Sequence, residues 1–183
     1  MAKCLHMLCL VSLMLCIPNC GFAKIISDDT GSITFETSNK WYLTSLGEDE
    51  FTYELISIGL DEDSFIKITQ SKVHMKYKNF KQASDTEKSK LRDYMIRYYL
   101  NLFRSKGYRF TVNKAEFFND SILIGATLRK NNFTGKMLVA SFIKDYIAYN
   151  ITAVCSEMTA VETMKTLRTL KIDGRDFGVW VGQ

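Results

Sequence analysis

Apolar and polar residues alternate with a two-residue period through much of this chain, and twice the period lengthens to that of a helix. Ile147, Tyr149, Ile151, Ala153 and Cys155 alternate with polar or small residues, which is the signature of a strand with one buried face. Residues 136–143 are nearly unbroken apolar from Met137 onward, as suits a central strand covered on both sides. Together with 146–155 they predict a hairpin around Lys144-Asp145. Residues 108–112 and 121–129 predict two more strands, with a turn over Asn131-Asn132-Phe133-Thr134-Gly135. Upstream, residues 33–37 and 41–45 read as short strands joined by Ser38-Asn39-Lys40, and residues 51–60 and 65–78 as longer ones around the Asp61-Glu62-Asp63-Ser64 turn. Both longer runs change parity. Tyr53 and Leu55 give way to Ile56, Ile58 and Leu60; Ile66 and Ile68 give way to Val73, Met75 and Tyr77. A one-residue slip flips the buried face, so Thr69-Gln70-Ser71 reads as a bulge or break.

Ser84-Asp85-Thr86-Glu87 pairs a hydroxyl with a carboxylate three residues on, a capping box that opens a helix. Leu91, Met95, Tyr98 and Leu102 form its apolar stripe, widened by Tyr94, Tyr99 and Phe103, and Gly107 stops it. A second helix starts near residues 156–159 with another box, Thr159 to Glu162. Val161, Met164, Leu167 and Leu170 line it, and Asp173-Gly174 ends it. The tail from Arg175 to Gln183 reads as an edge strand or a docked tail. Strands arrive in hairpins and not as strand–helix–strand repeats. That predicts an α+β fold, an antiparallel sheet flanked by two main helices.

Residues 1–23 read as an address. Lys3 precedes an apolar run from Cys4 to Ile17, Pro18 and Asn19 break it, and Gly21 and Ala23 put small residues before Lys24. This is the layout of a secretory signal peptide cleaved between Ala23 and Lys24. The apolar run is shorter than the roughly 20 residues that span a bilayer. The rival readings are an uncleaved anchor and a lipoprotein acylated at Cys20. Cleavage leaves residues 24–183 as one globular domain in the periplasm or the medium. Its only cysteine is Cys155 and it has no proline, so it has no intrachain disulfide and no obvious linker.

The chain has 183 residues, 46% hydrophobic, 13% aromatic and 24% charged, a composition that excludes a disordered chain and a multi-span membrane protein. Charge is unevenly spread. Residues 24–66 hold 2 basic and 10 acidic side chains, residues 67–114 hold 13 and 3, and residues 115–183 hold 8 and 7. Lys72, His74, Lys76 and Lys78 share the polar parity of one predicted strand, and Lys81 follows. This is a candidate face for an anionic partner, with Tyr77 and Phe80 interleaved. For an exported protein, lipid headgroups or an acidic protein fit such a face better than nucleic acid. The plainer reading is a solvated face paired with Glu54 or the Asp61–Asp63 turn.

Catalytic chemistry has little to stand on. Cys155 and His74 are the only thiol and imidazole after Ala23. Cys155 extends an apolar face whereas His74 lies on a polar one, so they do not form a dyad. Zinc needs about four ligands from Cys, His, Asp or Glu, and no metal or cofactor is expected. The Asp61-Glu62-Asp63 turn lacks the glycine and distal glutamate of a calcium loop. No glycine-rich phosphate loop occurs. Sequons at Asn119, Asn132 and Asn150 read as chance.

The element order resembles the PsbP-like superfamily, which includes photosystem PsbP, Ran-binding Mog and DcrB-type exported proteins. The resemblance is carried by Ile33-Thr34-Phe35-Glu36 followed by Asn39-Lys40-Trp41, the long helix, Gly107-Tyr108, and Tyr149-Asn150-Ile151 leading to a helix that reaches Leu170. It covers roughly residues 33–172. The proline that commonly precedes the tryptophan is absent. The resemblance implies an α/β/α sandwich and a non-catalytic role in binding or assembly, with no particular ligand. The expectation is therefore an exported, monomeric binding or accessory protein whose partner is a protein, an envelope component or an anionic membrane surface. The alternatives are a carrier of a small apolar ligand or lipid, motivated by the aromatic long helix, and an enzyme using Cys155.

Overall fold

The computed structural model describes residues 24–44, 50, 52–118 and 120–176. The signal segment with Ala23, the sequon at Asn119 and the tail from residue 177 lie outside these. In chain order the elements are β1 (Lys24–Ser27), β2 (Ile33–Thr37), β3 (Tyr42–Leu43), β4 (Thr52–Asp61) and β5 (Ser64–Ser71). A short 3-10 turn (Phe80–Gln82) leads into α1 (Asp85–Ser105). Then come β6 (Arg109–Phe118), β7 (Ser121–Lys130), β8 (Phe133–Lys144), β9 (Ile147–Ser156), α2 (Ala160–Arg168), β10 (Lys171–Ile172) and β11 (Arg175–Asp176).

A seven-stranded sheet in the order β3-β4-β5-β9-β8-β7-β6 forms the centre, and a small sheet β1-β2-β10-β11 lies apart from it. Neighbouring strands are antiparallel throughout. The fold is α+β, as its hairpins foretell. One expectation fails: the Ser38–Lys40 turn does not join a hairpin. It carries the chain from β2 in the small sheet to β3 in the main one. Trp41 sits at the crossing, 2% exposed.

Each face of the main sheet carries its own apolar core. On one face Ile26, Ile33 and Phe35 of the small sheet, with Leu167 and Leu170 at α2, pack on Ile56, Ile58, Ile66, Ile68 and Ile151. On the other, Met95, Tyr99 and Phe103 of α1 pack on Ile122, Ile124, Ala126, Leu128, Met137 and Val139. Fully burying a large apolar side chain is worth about 1.5–3 kcal/mol. β8 feeds both cores, Ala140 and Phe142 on one side and Met137 and Val139 on the other. This explains its unbroken apolar run.

The parity change in β4 is a bulge between Glu54 and Ile56. The change after Ile68 is the end of β5 at Ser71, so residues 72–78 are not strand. α1 opens on the expected box: Ser84 Oγ accepts from the Glu87 N–H, and Glu87 accepts from the Ser84 N–H at 3.0 Å. Gly107, at φ +82°, ends it where L side chains rarely fit. Its buried stripe is Met95, Tyr99 and Phe103, four apart, so Tyr94 and Tyr98 fall outside at 58% and 41% exposure. The second box does not form. Thr159 Oγ1 is engaged by Ser64 Oγ at 2.7 Å and by the Ser156 N–H at 3.0 Å, and it makes no cap bond. Val161 is exposed, and Thr163 and Thr166 are buried in its stead. Asp173-Gly174, both at positive φ, turn the β10–β11 hairpin and do not end the helix.

Candidate functional site

Beyond Ser71 the chain leaves the sheet through a series of bends. Ser71 Oγ accepts from the Val73 N–H at 3.1 Å, and the Met75 N–H donates to the Tyr146 carbonyl at 2.6 Å. Lys72, His74, Lys76, Lys78 and Lys81 are all exposed while Met75, Tyr77 and Asn79 are half-buried. Exposure alternates only from His74 to Asn79, since Val73 is exposed too, and it belongs to a bent segment and not to the face of a strand.

The lysines of this segment have partners. Lys72 Nζ lies 4.8 Å from the centre of the Tyr53 ring. Lys76 pairs with Glu87 at 3.3 Å, Lys78 with Asp145 at 3.6 Å and Lys81 with Asp120 at 3.2 Å. The acids that meet Lys76, Lys78 and Lys81 lie outside the Asp61–Asp63 turn, and Glu54 meets Lys67 at 3.0 Å. Glu87 is the hub. The Tyr77 hydroxyl donates to it, the Ser84 hydroxyl donates at 2.7 Å, and Lys76 adds a third contact. The bond from Tyr77, then those from Ser84, hold the Glu87 carboxyl down to about 2. The Tyr77 and Glu87 contacts push the Lys76 ammonium up. The segment is thus clamped to the start of α1, where a carboxylate also suits the helix dipole.

Cys155 is buried near the end of β9, and its thiol is pushed up by burial. His74 is fixed near the opposite end, next to Met75 and its bond to Tyr146. Cys155 lies eight positions along the strand from Ile147, about 27 Å at 3.4 Å per residue. The two side chains cannot act together. Among the described residues no three of His, Cys, Asp and Glu gather to hold a metal ion. Nor is any helix there long and apolar enough to cross a membrane.

Where the aromatic long helix meets the sheet, Met95, Tyr99 and Phe103 are buried, and the Tyr99 hydroxyl is 2.8 Å from Thr152 Oγ1. An open depression of about 550 Å³ lies on its outer side, lined by Tyr94, Arg97, Tyr98, Asn101, Leu102 and Ser105. Of the sequons, Asn132 is at an exposed turn and Asn150 is within β9, opposite Ser141 and Thr69.

A second basic region went unrecognised in the sequence. The small sheet and α2 cover β4, β5, β9 and part of β8. The same face of β6 and β7 keeps exposed polar side chains. Arg109 stands directly opposite Arg129, and Thr127 stands between Thr111 and Lys136. Phe110, Leu128 and Met137 point to α1, so Arg109, Arg129 and Lys136 project from the other side. All three are exposed. Among the described residues none of them has a carboxylate within salt-bridge reach. The signal lay in the pairing register, not in the density of lysines along the chain.

No protein-family model and no curated protein sequence matches the chain. The solution structure of cyanobacterial PsbP from Synechocystis is similar, with a TM-score of 0.55 and 9% identity over 85% of this chain and 96% of that one. A crystal structure from Bacteroides thetaiotaomicron gives a TM-score of 0.44 at 10% identity over 85% of this chain and 50% of its own. At such identity the likeness to cyanobacterial PsbP concerns the backbone architecture, and by that architecture this chain has a PsbP-like fold.

Proposed function

We propose that this chain is an exported, non-catalytic binding or accessory protein of the cell envelope or the secreted fraction. The observation that carries the reading is the separation of the only thiol and the only imidazole after Ala23. Cys155 is buried at one end of β9 and His74 is exposed near the other, so the nucleophile lacks its base. The PsbP-like fold supports the accessory role. Export is supported by the signal pattern of residues 1–23.

Thiol labelling of the folded protein tests the non-catalytic part. Cys155 is expected to react slowly, at the rate of local opening. Labelling at the rate of a free thiol would return the Cys155 enzyme to consideration. Intact mass of the exported protein tests the rest, with Lys24 expected as the first residue. An intact N-terminus on cytosolic material would defeat export. Native mass spectrometry is expected to show the bare chain, whereas a co-purifying lipid would favour the carrier instead.

A further inference from the structure

We propose that the open half-face at β6–β7 docks an extended acidic peptide segment, which adds as a strand to the free edge of β6. This rests on the binding-protein reading above and names the chemistry of the partner. Two independent observations meet at one place. The first is the edge. β6 has ten residues and pairs on one side only, with β7. Among the described residues its other side has no neighbouring strand, so alternate N–H and C=O groups face outward. The second is the charge. Arg109 and Arg129 face each other directly across the ladder, where Cβ atoms are about 4.5–5.5 Å apart and like charges are unfavourable. Lys136 lies on the diagonal from Arg129, opposite Thr127.

Among the described residues no carboxylate compensates that repulsion. A local conflict without a structural gain is the pattern expected at a functional surface. Lys114, further along the same face, is in contrast paired with Glu116 at 2.6 Å. A bulge between Val112 and Lys114 divides the strand, so the stretch from Arg109 to Val112 is the one flanked by unpaired cations.

The chemistry of the face selects among anions. Around Arg109–Val112 its exposed side chains are Arg109, Thr111, Arg129, Thr134 and Lys136, with Asn113 and Lys114 beyond them. Among the described residues it offers no exposed aromatic platform for unpaired bases and no exposed apolar side chain to enter a bilayer. A β-strand partner presents side chains to this face at every second residue. Carboxylates at alternate positions therefore reach Arg109 and Arg129 while the backbone bonds to β6, the mode of recognition in which an edge supplies affinity and alternate side chains supply specificity.

The probe is a fluorescein-labelled ten-residue peptide of alternating glutamate and threonine, titrated into the full chain by anisotropy. Binding is expected, weakening as salt rises. It is expected to fall about tenfold or more for Arg109→Glu/Arg129→Glu, a pair of exposed substitutions that leaves both cores untouched. A peptide of the same composition in two blocks, and one N-methylated at alternate residues, are expected to bind about tenfold or more weakly, because each loses either the side-chain spacing or the backbone donors. Equal binding of all three peptides would overturn strand addition. Absence of peptide binding would overturn the acidic-peptide partner, as would binding that the double variant keeps. Retention of anionic phospholipid vesicles that the double variant loses would replace the peptide with a membrane. None of these results touches the non-catalytic reading, which the Cys155 labelling decides.

Discussion

Two basic regions among the described residues differ in what surrounds them. The segment from Lys72 to Lys81 is the more conspicuous in the sequence, yet Lys76, Lys78 and Lys81 each meet a carboxylate and Lys72 lies on a tyrosine ring. The Arg109, Arg129 and Lys136 group has fewer charges, drawn from three strands, and each lacks a carboxylate among the described residues. The first region joins the bends, the α1 cap and the neighbouring turns. The second crowds like charges and leaves them to solvent. Basic density along a chain therefore does not identify available cations; neighbours across the fold do.

The largest expected effect separates the regions by binding. Reversing Arg109 and Arg129 is expected to cost about tenfold or more in affinity for the alternating acidic peptide, whereas Lys76→Glu/Lys78→Glu/Lys81→Glu costs less than about twofold, since those ammonium groups are already engaged. The second effect is on stability, and the signs are opposite. Arg129→Glu turns a facing like-charge pair into an opposite-charge pair and is expected to stabilise by about 1 kcal/mol. This would raise the melting temperature by about 2–4 °C. Lys78→Glu loses its contact with Asp145 and is expected to destabilise by at most about 1 kcal/mol, since that pair is 56% and 62% exposed. Destabilisation by Arg129→Glu would mean that the crowding at Arg109 is compensated after all.

A third expectation sharpens the clamp on the first region. Glu87 goes from an ordinary 4.5 to about 2 on folding. Its contribution is complete above pH 4.5 and is lost as pH falls toward 2. Thermal melts between pH 5 and pH 2 are expected to fall more steeply for the parent than for Glu87→Gln. Parallel curves would show that the Tyr77–Glu87–Ser84 contacts do not hold the segment. The smallest effect concerns Tyr146, which sits at φ +68° in the β8–β9 turn and whose carbonyl receives the Met75 N–H. Tyr146→Gly relieves left-handed strain at some entropic cost, so the melting temperature is expected to rise by no more than about 2 °C.

Much of the fold was legible because its signals are local. The Ser84–Glu87 box, the Gly107 stop and the β8–β9 hairpin each lie within a few residues, and the structure contains all three. The second sheet was not legible. It forms when β10 pairs with β2, and Thr169 Oγ1 bonds both the N–H and the carbonyl of Glu36, 133 residues away. No periodicity reports such pairing. Residues 72–78 show the converse error. Lys72-Val73-His74-Met75-Lys76-Tyr77-Lys78 has an ideal strand alternation, but the ladders from β5 to β4 and β9 run no further than Ser71, and Val73 is 59% exposed. The basic group at β6–β7 escaped for a related reason. Arg109 and Arg129 become neighbours only when the hairpin register is fixed.

The comparison is decided by mapping where an acidic segment lands. Backbone amide shifts of the full chain, followed during titration with the alternating glutamate–threonine peptide, are expected to move at Arg109–Val112, Thr127–Arg129 and Thr134–Lys136. Amides from Lys72 to Lys81 should stay in place. Shifts centred on residues 72–81 instead would contradict the account, since the paired lysines would then be the working surface.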